Sequence, residues 1–150
     1  MTRIAVTGGA GRLGRSLVAG LAAQGYDVIS LDRAASVDTD ATGCIEHVAV
    51  DLTDVDAARA AITNARADAL IHLAAIAVPF SAPEDVILRT NATLALSVLS
   101  AGVEAGIGRI VAASSPTVLG DGAPGGFTPD PVGSVTLRPR GGMPLWVEPL

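Results

Sequence analysis

Three glycines at three-residue spacing, Gly8, Gly11 and Gly14, are the residues of this 150-residue sequence whose pattern most clearly suits a ligand. The first lets the chain leave a strand sharply, and the second lets the backbone approach a pyrophosphate closely. The third lets the next helix pack against the strand. The first N–H groups of that helix, from Arg12 and Leu13 onwards, would face the phosphates with the positive end of the helix dipole. The spacing therefore predicts a diphosphate site.

An acidic residue, Asp32, closes the apolar segment 27–31, about 20 residues after the glycines, where dinucleotide-binding folds place a ribose-binding acid. A carboxylate there accepts hydrogen bonds from the ribose hydroxyls. Arg33 would attract a ribose 2′-phosphate and Asp32 would repel one, so we favour NAD and keep NADP as the alternative. The other interpretation of the glycine segment is a tight strand–helix turn that binds no ligand.

The elements that must position these residues follow from apolar periodicity. Short apolar segments predict five strands, at 4–6, 27–31, 45–50, 70–75 and 109–113. Helical spacing predicts a first helix after the glycines, which stops at Gly25. It predicts a second helix with the apolar positions Val55, Ala58 and Ile62. A third helix is predicted over 83–105, and its apolar stripe consists of Val86, Ile87, Leu94, Val98 and Leu99.

Strands that alternate with helices predict an α/β fold. We expect a Rossmann-type, doubly wound parallel sheet of three layers, with at least five strands in the order 3-2-1-4-5 and four helices. The order reverses between the first and fourth strands, and ligands bind beyond the carboxyl ends of the strands at such a point.

The segment TGGAGRLG resembles the extended short-chain dehydrogenase/reductase superfamily, and within it the NAD-dependent epimerase/dehydratase family. The resemblance implies that Ser115 is the catalytic serine. It also implies cofactor contacts outside the glycine segment and Asp32, from Asp51, Leu52, Leu73, Ala74, Ala75, Asn91 and Ser114.

The residues alone leave other roles open for several of these positions. Asp51 also suits an acid at a helix start, and Asn91 also suits an exposed helix position. Ser115 also suits a strand-end hydroxyl that bonds the backbone. We interpret His72 as a structural residue, because no partner carboxylate is near it in the sequence.

The sequence departs from the family at the acid/base pair Tyr-x-x-x-Lys. Tyr26 is the only tyrosine, and all ten basic residues are arginine. A phenol with a pKa of about 10 needs a fixed cation to exchange its proton at neutral pH. The resemblance therefore implies a cofactor-binding protein whose catalysis is impaired.

Seven glycines and six prolines interrupt every pattern over 120–150. We expect an NAD(P)-binding domain at 1–120 and a divergent tail of low order at 121–150, with the family's substrate domain absent. A natural short form, a gene fragment and a product with an altered reading frame after about Phe127 all remain open.

Composition narrows the function classes. A net charge of −5 argues against a nucleic-acid surface. No apolar run reaches the ~18 residues of a membrane span, and the N-terminus enters a strand directly, so we expect no signal peptide. The single Cys44 fits a reducing compartment. We expect a cytoplasmic protein without a metal site.

Three functions remain open. The first is hydride transfer between NAD(P) and a hydroxyl-bearing carbon of a small molecule such as a sugar or sugar nucleotide, with Ser115 on the reacting oxygen. The second is a dinucleotide-binding or sensing module without turnover. The third is an incomplete α/β unit that self-associates through an uncovered sheet edge. The family resemblance further implies a homodimer formed through the helix at 86–105.

Overall fold

The computed structural model describes residues 1–34, 45–78 and 81–114. Met1–Ala113 forms one compact unit and Ser114–Leu150 a second, of which only Ser114 is described. The elements of the first unit are β1 Arg3–Thr7, α1 Arg12–Ala23, β2 Asp27–Asp32, β3 Ile45–Ala49, α2 Val55–Ala65, β4 Ala69–His72, α3 Glu84–Glu104 and β5 Arg109–Ala112.

The five strands form one parallel sheet in the order β3-β2-β1-β4-β5. This order confirms the predicted Rossmann-type topology. It reverses between β1 and β4, whose last residues, Thr7 and His72, are paired in register. The carboxyl ends of these two strands therefore lie side by side at the point where the fold favours a ligand.

Two apolar clusters cover the two faces of the sheet. Residues of α1 pack with Ile4, Val6 and Val28. Residues of α2 and α3 pack on the other face with Ala5 and Ile29. Successive residues of a strand point to opposite faces of the sheet. Both faces of β1 are therefore apolar because helices cover both, which confirms the three-layer prediction.

Three helices, rather than the four expected, lie in the described part of the chain, and 35–44, between β2 and β3, fall outside it. Two residues that the helical periodicity assigns to an apolar, core-facing stripe are exposed to solvent. Val55 is 48% exposed and Val86 is 41% exposed. Each lies in the first turn of its helix, whereas burial begins at Ala58 in α2 and at Leu94 in α3.

The helix α3 is long and apolar enough to meet the criterion for a membrane span by length and composition alone, with a mean hydropathy of 1.5 over its best 18 residues. A core helix of a soluble protein meets the same criterion. Buried residues of α3 pack on the sheet, and a Cβ on Gly102 would lie 2.9 Å from atoms of Leu70 and Ile110. This close approach is the packing expected of a helix that covers a sheet.

Candidate functional site

The glycine segment makes a tight turn at the carboxyl end of β1. Gly8 has a φ of +73°, and its N–H donates to the carbonyl of Leu31 at 2.9 Å. A Cβ on Gly8 would lie 2.7 Å from the backbone nitrogen of Ala74, and one on Gly14 would lie 2.1 Å from the carbonyl oxygen of Gly8. Both positions therefore require glycine, since backbone atoms of the turn and of the neighbouring segment occupy the space.

The turn opens onto the N-terminus of α1. Gly11 is the N-cap, and within the described part of the chain no side chain caps this terminus and no acid lies in the first turn. Arg12 and Leu13, the first two helical residues, are exposed. The first N–H groups of a helix have no partner within the helix, so this terminus offers donors and a positive dipole end to an anion.

Asp32, the last residue of β2, lies against the turn. Its Oδ2 accepts a hydrogen bond from the N–H of Ala10 at 3.1 Å, and its Oδ1 accepts one from Ala34 at 3.2 Å. A carboxylate has about four acceptor positions, so both oxygens can still accept from ribose hydroxyls. Arg33 follows it and is exposed. The structure thus places the residues predicted to bind the diphosphate next to the acid predicted to bind the ribose.

Asp51 lies beyond the carboxyl end of β3, where the N–H of Val50 donates to the carbonyl of Asp32 at 2.8 Å. Its Oδ1 accepts from the hydroxyl of Thr53 at 2.7 Å and from the N–H of Thr53 at 3.0 Å. These bonds hold the pKa of the exposed Asp51 carboxyl below its usual range. The N-cap of α2 is Asp54, three residues further on, so Asp51 does not cap this helix. Leu52, beside it, is buried.

A buried polar group that the sequence analysis missed joins β1 to β4. The Thr7 hydroxyl accepts from the N–H groups of Leu73 and Ala74 at 3.3 and 3.4 Å and lies 2.7 Å from Nδ1 of His72. In the neutral imidazole, Nδ1 either accepts this bond from the Thr7 hydroxyl or donates it, according to which ring nitrogen carries the proton. Burial lowers the pKa of His72, which favours that neutral form.

This geometry supports the structural role predicted for His72. The strand β4 ends at His72, whereas the sequence predicted that it continues to Ala75. Its partner β1 ends at Thr7, and the last backbone bond between the two runs from the N–H of Leu73 to the carbonyl of Thr7 at 3.1 Å. Ala74 is partly buried and Ala75 is exposed at the same edge of the sheet. The signal that could have identified Thr7 is a hydroxyl that closes an otherwise apolar strand.

Asn91, in α3, bonds to the segment after β4. Its Oδ1 accepts from the N–H of Ile76 at 2.8 Å, and its Nδ2 donates to the carbonyl oxygen of Ile76 at 3.1 Å. Its side-chain amide therefore does not point to solvent, which removes the exposed alternative. A cofactor contact from Asn91, as the resemblance implies, stays a prediction.

The remaining predicted positions follow β5. Ser114 is exposed, and the catalytic candidate Ser115 lies outside the described residues. Tyr26 immediately precedes β2, so at ~3.3 Å per residue it lies roughly 20 Å along the strand from Asp32. The single tyrosine is thus at the amino end of the sheet, opposite the glycine turn. In the described residues, no three His, Cys, Asp or Glu side chains form a metal-binding group.

The family model that describes the NAD-dependent epimerase/dehydratase family matches residues 4–140. The chain belongs to this family. The match continues beyond Gly120, into the segment 121–150 that was expected to diverge.

Individual relatives agree with this assignment. The UDP-glucose 4-epimerase of Erwinia amylovora is 31% identical over 156 residues, which cover 97% of this chain and 46% of the relative. A solved UDP-galactose 4-epimerase is 31% identical, with a TM-score of 0.67, and the similarity covers 80% of this chain and 40% of that one. A variant of the uronate dehydrogenase from Agrobacterium tumefaciens, complexed with NAD, is 33% identical, with a TM-score of 0.64 and coverage of 77% and 41%. The chain thus spans less than half the length of these relatives.

Proposed function

We propose that the unit Met1–Ala113 binds NAD across the carboxyl ends of its strands. The observation that carries the proposal is the uncapped N-terminus of α1, with Asp32 bonded to the turn that precedes it. The diphosphate would accept hydrogen bonds from the first N–H groups of α1, and Asp32 would accept from the adenosine ribose. Asp51 and Leu52, beside Asp32 at the end of β3, would hold the adenine.

The other half of NAD would then lie on the β4 side of the turn. A dinucleotide spans the point where the strand order reverses, so a ribose on Asp32 directs the nicotinamide towards Leu73, Ala74 and Ala75. NAD, when bound, supplies a carbon that accepts or donates hydride. Asp32 favours an unphosphorylated ribose, and the adjacent Arg33 keeps NADP as the alternative.

We further propose that the family chemistry of this site is hydride transfer on a sugar or sugar-nucleotide hydroxyl, with Ser115 bonded to the reacting oxygen. The names of the epimerase relatives support this substrate class. The 150 residues hold no Tyr–Lys pair, and Tyr26 lies at the wrong end of the sheet. Losing a general acid/base typically costs about 10²–10⁴ in rate, so we expect this chain to bind NAD with little or no turnover.

The second candidate function, a binding module without catalysis, rests on that same absence of lysine and of a second tyrosine. Turnover separates the two functions. Formation of reduced nicotinamide or of an epimerised sugar, with a panel of UDP-sugars and uronates, would favour the enzyme, whereas saturable NAD binding with neither product would favour the module.

We also propose an oligomeric state, a domain division and a location for this chain. Leu88, Leu96 and Val103 of α3 are about 70% exposed, which supports a homodimer formed through this helix. The division into a domain at 1–120 and a tail at 121–150, and a cytoplasmic location, are proposed on the sequence alone. Equilibrium sedimentation of the full chain would measure its oligomeric state.

Calorimetric titration with NAD and NADP tests the cofactor proposal. Wild type should bind NAD more tightly than NADP, and Asp32→Ala should lose most of the affinity for NAD. Asp85→Ala is the matched control, because Asp85 is an exposed acid in the first turn of α3. Unchanged NAD affinity in Asp32→Ala, with the variant folded, would refute the assigned ribose contact.

A further inference from the structure

Two buried serine hydroxyls, those of Ser30 in β2 and Ser97 in α3, have no hydrogen-bond partner within the described part of the protein. The two residues are 2% and 4% exposed. A buried hydroxyl that bonds to no other group destabilises the folded state, because folding removes it from water without a compensating bond. Such a group calls for an explanation, and the surroundings of Ser30 provide one.

The hydroxyl of Ser30 lies against the glycine turn. A Cβ on Gly9 would lie 2.1 Å from Oγ of Ser30 and 2.9 Å from its Cβ. Because a carbon–carbon bond is about 1.5 Å long, Cα of Gly9 lies within about 3.6 Å of this Oγ, and the two atoms are in contact. The hydroxyl therefore occupies the space that a side chain at position 9 would need.

This contact matters because no hydrogen bond fixes Gly9 itself. Gly9 is buried, and among the residues that the structure describes its backbone has no hydrogen-bond partner. The N–H groups of its neighbours, Gly8 and Ala10, both bond to residues at the end of β2. Gly9 thus lies between two fixed points, and the Ser30 side chain limits how far it can move towards the sheet.

We infer that Ser30 is a positioning residue, which acts through Gly9 to hold the glycine turn where the first N–H groups of α1 can reach the diphosphate. This inference rests on the proposed function. It also accounts for the unpartnered hydroxyl, because a group can lower stability and still contribute to binding. Ser30→Ala should therefore stabilise the fold and weaken nucleotide binding, whereas the loss of a merely structural residue would lower both stability and affinity.

Ser30→Ala removes the hydroxyl and keeps the Cβ, and Ser97→Ala is the matched control. Ser97 carries the other unpartnered hydroxyl, but α3 covers the face of the sheet opposite to α1. Urea unfolding and calorimetric titration with NAD and ADP, all in the full chain, measure the two effects. The urea midpoint should rise by roughly 0.3 M in both variants. Only in Ser30→Ala should the Kd rise, by about threefold to tenfold for both nucleotides, because both carry the diphosphate.

Gly9→Ala probes the same contact from the turn. Its added Cβ would meet both Oγ and Cβ of Ser30 in wild type, but only Cβ in the Ser30→Ala background. The factor by which Gly9→Ala raises the Kd for NAD should therefore be smaller in that background. Equal factors in the two backgrounds would contradict the contact between Ser30 and Gly9.

An unchanged or lower urea midpoint in Ser30→Ala would overturn the inference, since the hydroxyl would then stabilise the fold. An unchanged Kd for NAD, a rise in that Kd which ADP does not share, or an equal rise in Ser97→Ala would also overturn it. If wild type binds neither nucleotide, the proposed function fails and the positioning role fails with it. Nucleotide binding by wild type thus distinguishes the two failures.

Discussion

Two glycines in α1 provide a sharp test of the turn geometry, because the same substitution should have opposite effects at the two sites. A Cβ on Gly14 would lie 2.1 Å from the carbonyl oxygen of Gly8 and 2.7 Å from Cα of Gly9, and both of these are backbone atoms. A Cβ on Gly20 would have nothing within 4 Å. Both residues lie inside the helix Arg12–Ala23.

The expected magnitudes follow from these contacts. Gly14→Ala must move the turn or the helix, and overpacking of this kind costs about 1–3 kcal/mol in the free energy of unfolding. Gly20→Ala meets no obstacle and restricts the unfolded chain, so it should stabilise the protein by roughly 0.5–1 kcal/mol. With a slope of about 1–3 kcal/mol per molar in urea, the two midpoints should shift in opposite directions by amounts of the order of 0.5–1 M.

Urea unfolding of both variants, followed by circular dichroism, measures this difference. NAD affinity provides the second comparison: Gly14→Ala should weaken it, because the displaced turn carries the diphosphate donors, and Gly20→Ala should leave it unchanged. If both variants shifted the midpoint in the same direction, or if Gly14→Ala bound NAD as wild type does, the close packing of α1 on the glycine turn would be refuted.

Three further predictions concern buried or capping polar groups. Burial lowers the pKa of His72, so the unfolded state binds a proton at this residue before the folded state does as the pH falls. The free energy of unfolding, measured in urea, should therefore decline below the ordinary histidine pKa of about 6.5. This decline should be smaller in His72→Asn than in a His47→Asn control. Thr7→Val leaves Nδ1 of His72 buried without its hydrogen-bond partner and should cost about 1–3 kcal/mol in the same assay; a loss below the error of the measurement would contradict the bond. Asp54→Ala removes the cap of α2 and should cost about 1 kcal/mol, whereas Asp54→Asn should be nearly neutral in thermal unfolding.

The topology was predictable because local and long-range signals agree in this sequence. Apolar segments of strand length, the helix stop at Gly25 and the glycine turn all favoured strands that alternate with helices, and the structure has the sheet order expected of such a fold. Asp54 caps α2, because its Oδ1 accepts from the N–H groups of Asp56 and Ala57 in the first turn. Periodicity failed at Val55 and Val86, because it does not report where along a helix contact with the sheet begins.

The polar contacts of the site were less predictable, since they depend on which strands pair in the sheet and therefore on which strand ends lie side by side. Asp32 was predicted to be a ribose acceptor, but its bond to Ala10 joins residues 22 positions apart and follows from the pairing of β1 with β2. The bond between Thr7 and His72 spans 65 positions and follows from the pairing of β1 with β4. Sequence spacing alone carries no signal for either bond.

The crevice is therefore organised from β1 outwards. On one side, Gly8 bonds to the carbonyl of Leu31 and the turn bonds to Asp32, which ties the proposed diphosphate donors to the proposed ribose acceptor. On the other side, the hydroxyl of Thr7 fixes the start of the segment after β4. The two halves of a dinucleotide would thus contact walls that share a single strand end. Any substitution that moves Thr7 or Gly8 should affect both halves together.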